Sequence, residues 1–129
     1  MIIDMMTLCD YAQESNGKLT IVGTFNKLMG SQLPAQYNMH LVARIGFEGD
    51  DTKKKFQLLI TIKKEGKDEP LIELPAELNN TGDGNFMYTN LNIDLSALPF
   101  PEEGKYSIKL HVGDIEQEIP LFVSHTEIA

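Results

Sequence analysis

Residues Leu98 to Val123 read LPFPEEGKYSIKLHVGDIEQEIPLFV, and this stretch decides the fold. Apolar residues alternate with others on both sides of Gly113-Asp114, a pair typical of a hairpin turn. Such alternation predicts antiparallel strands with one buried and one solvated face. Tyr106 follows a corner rich in Pro and Gly, where immunoglobulin-like sandwiches carry a tyrosine whose hydroxyl returns to upstream backbone. A ring that only packs is the alternative interpretation of Tyr106.

The period of two recurs along most of the chain. The residues that we expect to point inward are Met39, Leu41, Ala43, Ile45 and Phe47, then Phe56, Leu58, Ile60 and Ile62, then Ile72, Leu74, Ala76 and Leu78, then Met87, Leu91, Ile93 and Leu95, then Tyr106, Ile108, Leu110 and Val112, and finally Ile115, Ile119, Leu121 and Val123. Further turn signals are Asn16-Gly17, Gly49-Asp50-Asp51 and Gly66-Lys67-Asp68. We predict an all-β fold, an immunoglobulin-like antiparallel β-sandwich of about 7–9 strands with Greek-key-type connections.

Two prolines fall inside predicted strands, Pro75 and Pro120. Proline has no N–H for a central ladder, so these strands should be edges or be interrupted there. Edge strands such as Leu71–Leu74 or Leu121–Val123 could pair with another chain. Phe122 points to the opposite face from its neighbours Leu121 and Val123, and we expect it to be an exposed apolar contact. Replacing Phe122 by Ser should therefore leave folding largely intact.

The composition bounds the class of protein. The chain has 129 residues, a net charge of −8 and one cysteine. We expect a single domain over residues 1–129, without a disulfide and in a reducing compartment. The start of the chain has no basic segment and too short an apolar run for a signal peptide or a membrane span, so we expect a soluble, cytoplasmic protein.

The negative field disfavours nucleic acid and anionic membrane surfaces as partners. The lysines of residues 53–55 and 63–67 are mixed with acids. We interpret both clusters as solvated hairpin ends.

Catalysis by the one thiol would need a nearby imidazole. His40 and His111 lie on predicted outward faces, and His125 lies near the end of the chain. Cys9 alternates with Met5 and Thr7, which favours a small buried core residue. Neither a nucleophile elbow nor a phosphate-binding loop occurs in the sequence.

A metal site is equally weakly indicated. Asn79, Thr81 and Asp83 resemble the start of a calcium loop, but Asn90 stands where a bidentate Glu should follow. One carboxylate would hold calcium poorly, so we interpret the segment as an Asn/Gly turn. We expect its glycosylation sequon at Asn79 to be unmodified, because we expect the protein not to be exported. We expect no metal and no cofactor.

Carboxylates and aromatics offer two other kinds of site. Glu73 with Glu77, Asp94, and Glu116 with Glu118 are the carboxylate candidates for hydrolysis; on exposed strands such acids usually serve solubility and edge protection. Sugar stacking would use the exposed tyrosines, and the candidates are Tyr11, Tyr37 and Tyr88. Tyr88 shares an outward row with Asn90, Asn92 and Asp94, which could bind a sugar, serve a protein interface, or be an ordinary wet sheet face.

Residues 8–25 read LCDYAQESNGKLTIVGTF, with Asp-x-Ala, Gly-Lys-Leu and Ile-x-Gly-x-Phe in succession. This block resembles a family of short bacterial proteins of unknown function. The matching positions are Asp10, Ala12, Gly17, Lys18, Leu19, Ile21, Gly23, Phe25, Pro34, the strand Leu41–Ile45, Leu98, Phe100, Pro101, Gly104 and Tyr106. The resemblance spans nearly the whole chain. It implies a bacterial β-sandwich and no activity, so no functional residue is carried over.

The sequence therefore predicts a non-enzymatic protein-interaction or structural module, acting on a protein partner or by self-association. A small-ligand or carbohydrate module using Tyr88 and its Asn neighbours is one alternative, and an enzyme with a dispersed site is another. We assign no catalytic, cofactor or metal residue, and the sequence does not identify the binding surface.

Overall fold

The computed structural model describes residues 1–30, 33–34, 36–48, 55–79 and 87–125. Within these ranges the chain forms nine strands and no helix. The strands are β1 (Ile2–Ser15), β2 (Lys18–Phe25), β3 (Lys27–Gly30), β4 (His40–Phe47), β5 (Lys55–Lys64), β6 (Ile72–Asn79), β7 (Met87–Asp94), β8 (Gly104–Val112) and β9 (Ile115–His125). The turn predicted at Gly49-Asp50-Asp51 and the calcium-like segment after Asn79 lie outside the described residues.

The strands form two sheets. Sheet A has the order β2-β1-β4-β7, and sheet B has the order β3-β9-β8-β5-β6. Every pairing is antiparallel except that of β3 with β9. The pairs β1–β2, β5–β6 and β8–β9 are hairpins, whereas all other connections cross between the sheets. The prediction of an antiparallel β-sandwich is confirmed; the parallel β3 and the full length of β1 were not predicted.

The core lies between the sheets and is built mostly from the predicted inward positions. It also contains buried residues that were not predicted to point inward, namely Met6, Leu8, Leu28 and Phe100. Fully buried side chains come from β4, β5 and β8, for example Leu41, Ile60 and Ile108. Each such side chain stabilises the fold by about 1.5–3 kcal/mol through burial. The prediction that Ala76 points inward is wrong, because Ala76 is exposed. It lies on β6, the outermost strand of sheet B, and sheet A has one strand fewer with which to cover sheet B. Tyr37 is also not freely available for a ligand, because it is half-buried and packs against the core.

Tyr106 forms the predicted corner. Its ring is 1% exposed, and its hydroxyl donates a hydrogen bond of 2.8 Å to the backbone carbonyl of Glu102. The ring of Phe100 packs edge-on against it with centroids 5.1 Å apart. The corner before β8 is therefore fixed by both packing and a side-chain bond to the backbone.

Both prolines lie at sheet edges, as predicted. Pro75 is on β6, the last strand of sheet B. Pro120 pairs with β8 on one side only, because β3 pairs with β9 from Phe122 onward. Glu116 and Glu118 are exposed along the same uncovered part of β9, which fits the expected edge protection.

Replacing Tyr106 by Phe removes the hydroxyl and leaves the Glu102 carbonyl without this bond. We expect the free energy of unfolding in urea to fall by about 1–2 kcal/mol with an unchanged m-value. Tyr37→Phe is the matched control, because the buried Tyr37 hydroxyl makes no hydrogen bond to any described residue. That change should be neutral or stabilising, and equal losses in the two variants would contradict the corner assignment.

Candidate functional site

The ladder between β1 and β2 is interrupted in its middle. Cys9 pairs with Thr24 and Tyr11 pairs with Val22, whereas Asp10 and Gly23, which lie opposite each other between these pairs, do not form a ladder pair. Gly23 has a φ of 69°, and a Cβ there would lie 2.5 Å from the Asp10 carboxylate oxygen Oδ2. The positive φ favours glycine, and a side chain at this position would require the exposed Asp10 carboxylate to move. We infer a bend at this interruption, because hydrogen bonds from β7 place the distal half of the hairpin over sheet A.

The distal half of this hairpin lies across the outer face of sheet A. The amide nitrogen Nδ2 of Asn92 donates to the carbonyl of Ala12 at 3.0 Å, and that of Asn90 donates to the carbonyl of Gly17 at 3.0 Å. Both asparagines are on β7, which is separated from β1 by β4. The hairpin therefore crosses over β4, and two side-chain amides hold it there.

A small second core lies beneath the folded hairpin. Cys9, Ala12 and Val42 are buried together, and Met5 and Ile21 pack against them. The outer face of β4 was expected to be solvated, and at Val42 this expectation is wrong. The reason is that the chain covers this part of the sheet with its own hairpin.

The polar row of β7 points outward as predicted, but its amides are already engaged. Tyr88 is 47% exposed, and the Arg44 guanidinium lies 5.1 Å from its ring centroid. The Asn92 oxygen Oδ1 lies 2.9 Å from His40 Nδ1, and hydrogen bonds from Ser96 lower the pKa of Asp94. The row supplies an exposed ring without free amides beside it.

The sheet register makes Cys9 and His40 neighbours, which the sequence alone did not predict. Cys9 and His40 are direct partners between β1 and β4, and Asp94 is the partner of His40 on β7. However, the Cys9 sulfur Sγ lies 3.8 Å from the backbone carbonyl oxygen of His40, to which it donates. Burial raises the pKa of the thiol, which opposes formation of a thiolate. The arrangement agrees with a core role for Cys9.

The remaining carboxylate candidates are dispersed. Glu73 and Glu77 are on β6, whereas Glu116 and Glu118 are on β9, with β8 and β5 between them. Glu116 Oε2 lies 3.2 Å from Nδ1 of His111. Over the described ranges, the His, Cys, Asp and Glu side chains form no group of three or more suited to a metal ion.

The outer face of sheet B is different, since it carries a lysine-rich hollow of about 630 Å³. The hollow lies over β5 and β8, beside the turn that joins β5 to β6. Its lining contains the lysines Lys63, Lys64, Lys67, Lys105 and Lys109, the acids Glu65, Asp68 and Glu118, the hydroxyls of Thr61 and Ser107, and Gly66. The turn is solvated, as the sequence predicts, but five lysines share one concave surface. We call this surface the lysine hollow.

Acidic neighbours neutralise the lysines of the hollow only in part. Glu102 lies 3.5 Å from Lys64 and 3.8 Å from Lys67, and Glu65 lies 3.9 Å from Lys105. Among the described residues, Lys63 and Lys109 have no carboxylate within 4.0 Å. Exposed ion pairs are worth about 1 kcal/mol or less, so even the paired ammonium groups can exchange partners.

An apolar contact extends the same face beyond the lysine hollow. Phe122 is 40% exposed, as predicted, and pairs with Lys105 on one side and Lys27 on the other. Met29 follows on β3 and is 57% exposed. The alternation of the sequence indicates that Phe122 is exposed. Its pairing with lysines from two other strands, however, follows only from the sheet order.

The chain belongs to DUF6941, a family of unknown function, whose model matches residues 4–124. No curated protein and no solved structure matches the chain. The predicted membership in a family of unknown function is confirmed, while the immunoglobulin-like detail and the bacterial origin stay predictions. In the part of the chain that the structure describes, no helix has the length and apolar character of a membrane-spanning segment.

Replacing Gly23 by Ala should release the hairpin. We expect a loss of about 1–2 kcal/mol from the positive φ, with displacement of the Asp10 carboxylate, and faster labelling of the Cys9 thiol by a disulfide reagent. Gly17→Ala is the matched control, because Gly17 also has a positive φ, of 76°, but nothing lies within 4 Å of its added Cβ. It should cost about 1 kcal/mol and leave labelling slow. Identical labelling rates in the two variants would refute the bend.

Proposed function

We propose that this member of a family of unknown function is a non-enzymatic binding module that docks an acidic surface of another protein. The docking surface is the outer face of sheet B, formed by the lysine hollow and Phe122. The observation that carries the proposal is the gathering of five lysines around one hollow on a chain of net charge −8.

Charge supports a partner of the opposite sign. The hollow holds five of the eleven basic residues of the chain, against three acids in its lining and a fourth, Glu102, beside Lys64 and Lys67. The rest of the molecule is therefore more acidic than the net charge alone suggests. Such an arrangement attracts an acidic surface to one face and repels it elsewhere, which selects orientation and speeds encounter.

The other outer face offers less to a partner. The β1–β2 hairpin covers part of sheet A, and its bonds occupy Asn90 and Asn92. A carbohydrate module using Tyr88 is accordingly less favoured. Among the residues that the structure describes, no arrangement of reactive groups favours the enzyme alternative.

Self-association through the same face is also less favoured. A two-fold dimer would set the lysines of one copy against those of the other. Pairing along sheet B would meet Pro75 on its edge strand β6, or Glu116 and Glu118 on the uncovered part of β9. We therefore favour a different protein, and we retain a cytoplasmic location as part of the proposal.

Reversing one charge of the lysine hollow should weaken binding of the partner. We expect Lys63→Glu or Lys109→Glu to lower the affinity about tenfold, mainly through slower association, with less salt dependence than wild type. Lys18→Glu is the matched control, since Lys18 is exposed near the hairpin turn of sheet A and changes the net charge equally.

The measurement is quantitative capture from a native extract, followed by titration of the purified partner at several salt concentrations. Loss of the same protein in both hollow variants, with retention in the control, supports the proposal. Equal binding by all variants would contradict it. Tight binding of a duplex DNA probe that depends on Lys63 would show that the face serves nucleic acid instead.

Phe122 should contribute to docking without contributing much to folding. We expect Phe122→Ser to weaken binding of that partner severalfold through faster dissociation, while the free energy of unfolding changes by less than about 1 kcal/mol. Leu121→Ser is the contrasting change, because the neighbouring Leu121 is fully buried and should lose several kcal/mol. An unfolded Phe122→Ser variant would place the ring in the interior and remove it from the docking surface.

A further inference from the structure

We take Ser107, which lines the lysine hollow, as the centre of a smaller cluster within it. On β8, Lys105, Ser107 and Lys109 occupy alternate positions, and all three point away from the core, because Tyr106 and Ile108 between them are buried. On the neighbouring β5, Lys63 is the direct partner of Ser107. The half-buried Ser107 thus has lysines at three neighbouring positions of the sheet and Pro120 of β9 at the fourth.

The spacing suits one small anion. Directly paired side chains in antiparallel sheets start about 5 Å apart, and positions two residues along a strand about 7 Å apart. Flexible lysine stems can bring their ammonium groups from these positions to a common point above Ser107. Thr61 adds a second hydroxyl beside Lys109, since the two are register partners.

We propose that the centre of the lysine hollow binds the phosphate group of a phosphate monoester. A phosphate monoester near pH 7 carries close to two negative charges and three terminal oxygens, which match three ammonium groups and the Ser107 hydroxyl. A single carboxylate offers one charge and two oxygens, so it would leave part of the cluster unpaired. This inference rests on the proposed function to the extent that the phosphate group belongs to a phosphorylated side chain of the docked protein.

The acids at the margin sharpen the selectivity for a compact anion. Glu118 is the register partner of Lys109, and Glu65 lies 3.9 Å from Lys105. These carboxylates would repel a long polyanion laid across the face, but they leave the point above Ser107 open to one phosphate group. The geometry therefore disfavours a nucleic-acid backbone as the source of the phosphate.

The test is a titration followed by two-dimensional amide NMR at constant ionic strength. The probes are inorganic phosphate, a phosphoserine peptide, and the same peptide with glutamate in place of phosphoserine. We expect saturable shifts centred on Ser107 and Lys63 with both phosphate probes, and affinity for the glutamate peptide at least about fivefold lower. Affinity for the phosphoserine peptide should fall between pH 7.5 and 5.5, as its phosphate group passes its second pKa of about 6 and loses a charge.

Two variants and one control make the test specific to the site. Ser107→Ala and Lys63→Gln should each lower phosphate affinity severalfold, whereas Ser15→Ala, at an exposed serine near the β1–β2 turn, should not. Absence of saturable shifts, or equal affinity in all variants, would overturn the inference.

The outcomes separate this inference from the proposed function. If phosphate fails to bind while partner capture still depends on Lys63 and Lys109, the docking face stands and the phosphate site falls. If phosphate binds with this dependence but no acidic protein does, the site stands and the protein-docking function falls. Tighter binding of the phosphoserine peptide than of inorganic phosphate assigns the group to a phosphorylated side chain, and the reverse order assigns it to a free phosphate or small ester.

Discussion

Burial of alternating apolar side chains between two sheets is the constraint on which the rest of the structure depends. It assigns every second residue of β4, β5 and β8 to the interior and leaves the others to the outer faces. The two outer faces then differ in how far they are open to solvent. The chain covers part of sheet A with its own hairpin, held by Asn90 and Asn92, whereas sheet B presents the lysine hollow to solvent.

The sequence predicted what depends on local period and turn chemistry. A period of two identified the inward residues of most strands, since a one-residue slip would expose the whole set. Asn16-Gly17 and Gly113 indicated hairpins, and they do turn the chain with positive φ. Tyr106 after a Pro/Gly corner indicated the bond to Glu102. Each of these signals lies within a few residues and needs no knowledge of the sheet order.

Features that depend on sheet order could not be predicted from such local sequence signals. Cys9 and His40 are 31 residues apart and become neighbours only through the register of β1 with β4. The cluster of Lys63 with Lys105 and Lys109 likewise needs the pairing of β5 with β8. The resembling block at residues 8–25 contains the residues of the hairpin bend, including Gly23, but its spacing alone gives no sign that the hairpin folds over sheet A.

The most direct test of this account compares how a neutral and an anionic paramagnetic probe broaden amide signals. The anionic probe should broaden Thr61 and Ser107 more than the neutral probe does, because local positive potential concentrates anions on the outer face of sheet B despite a net charge of −8. Val42 should be shielded from both probes beneath the hairpin. Uniform exclusion of the anionic probe, or strong broadening at Val42, would contradict the assignment of one open basic face and one covered face.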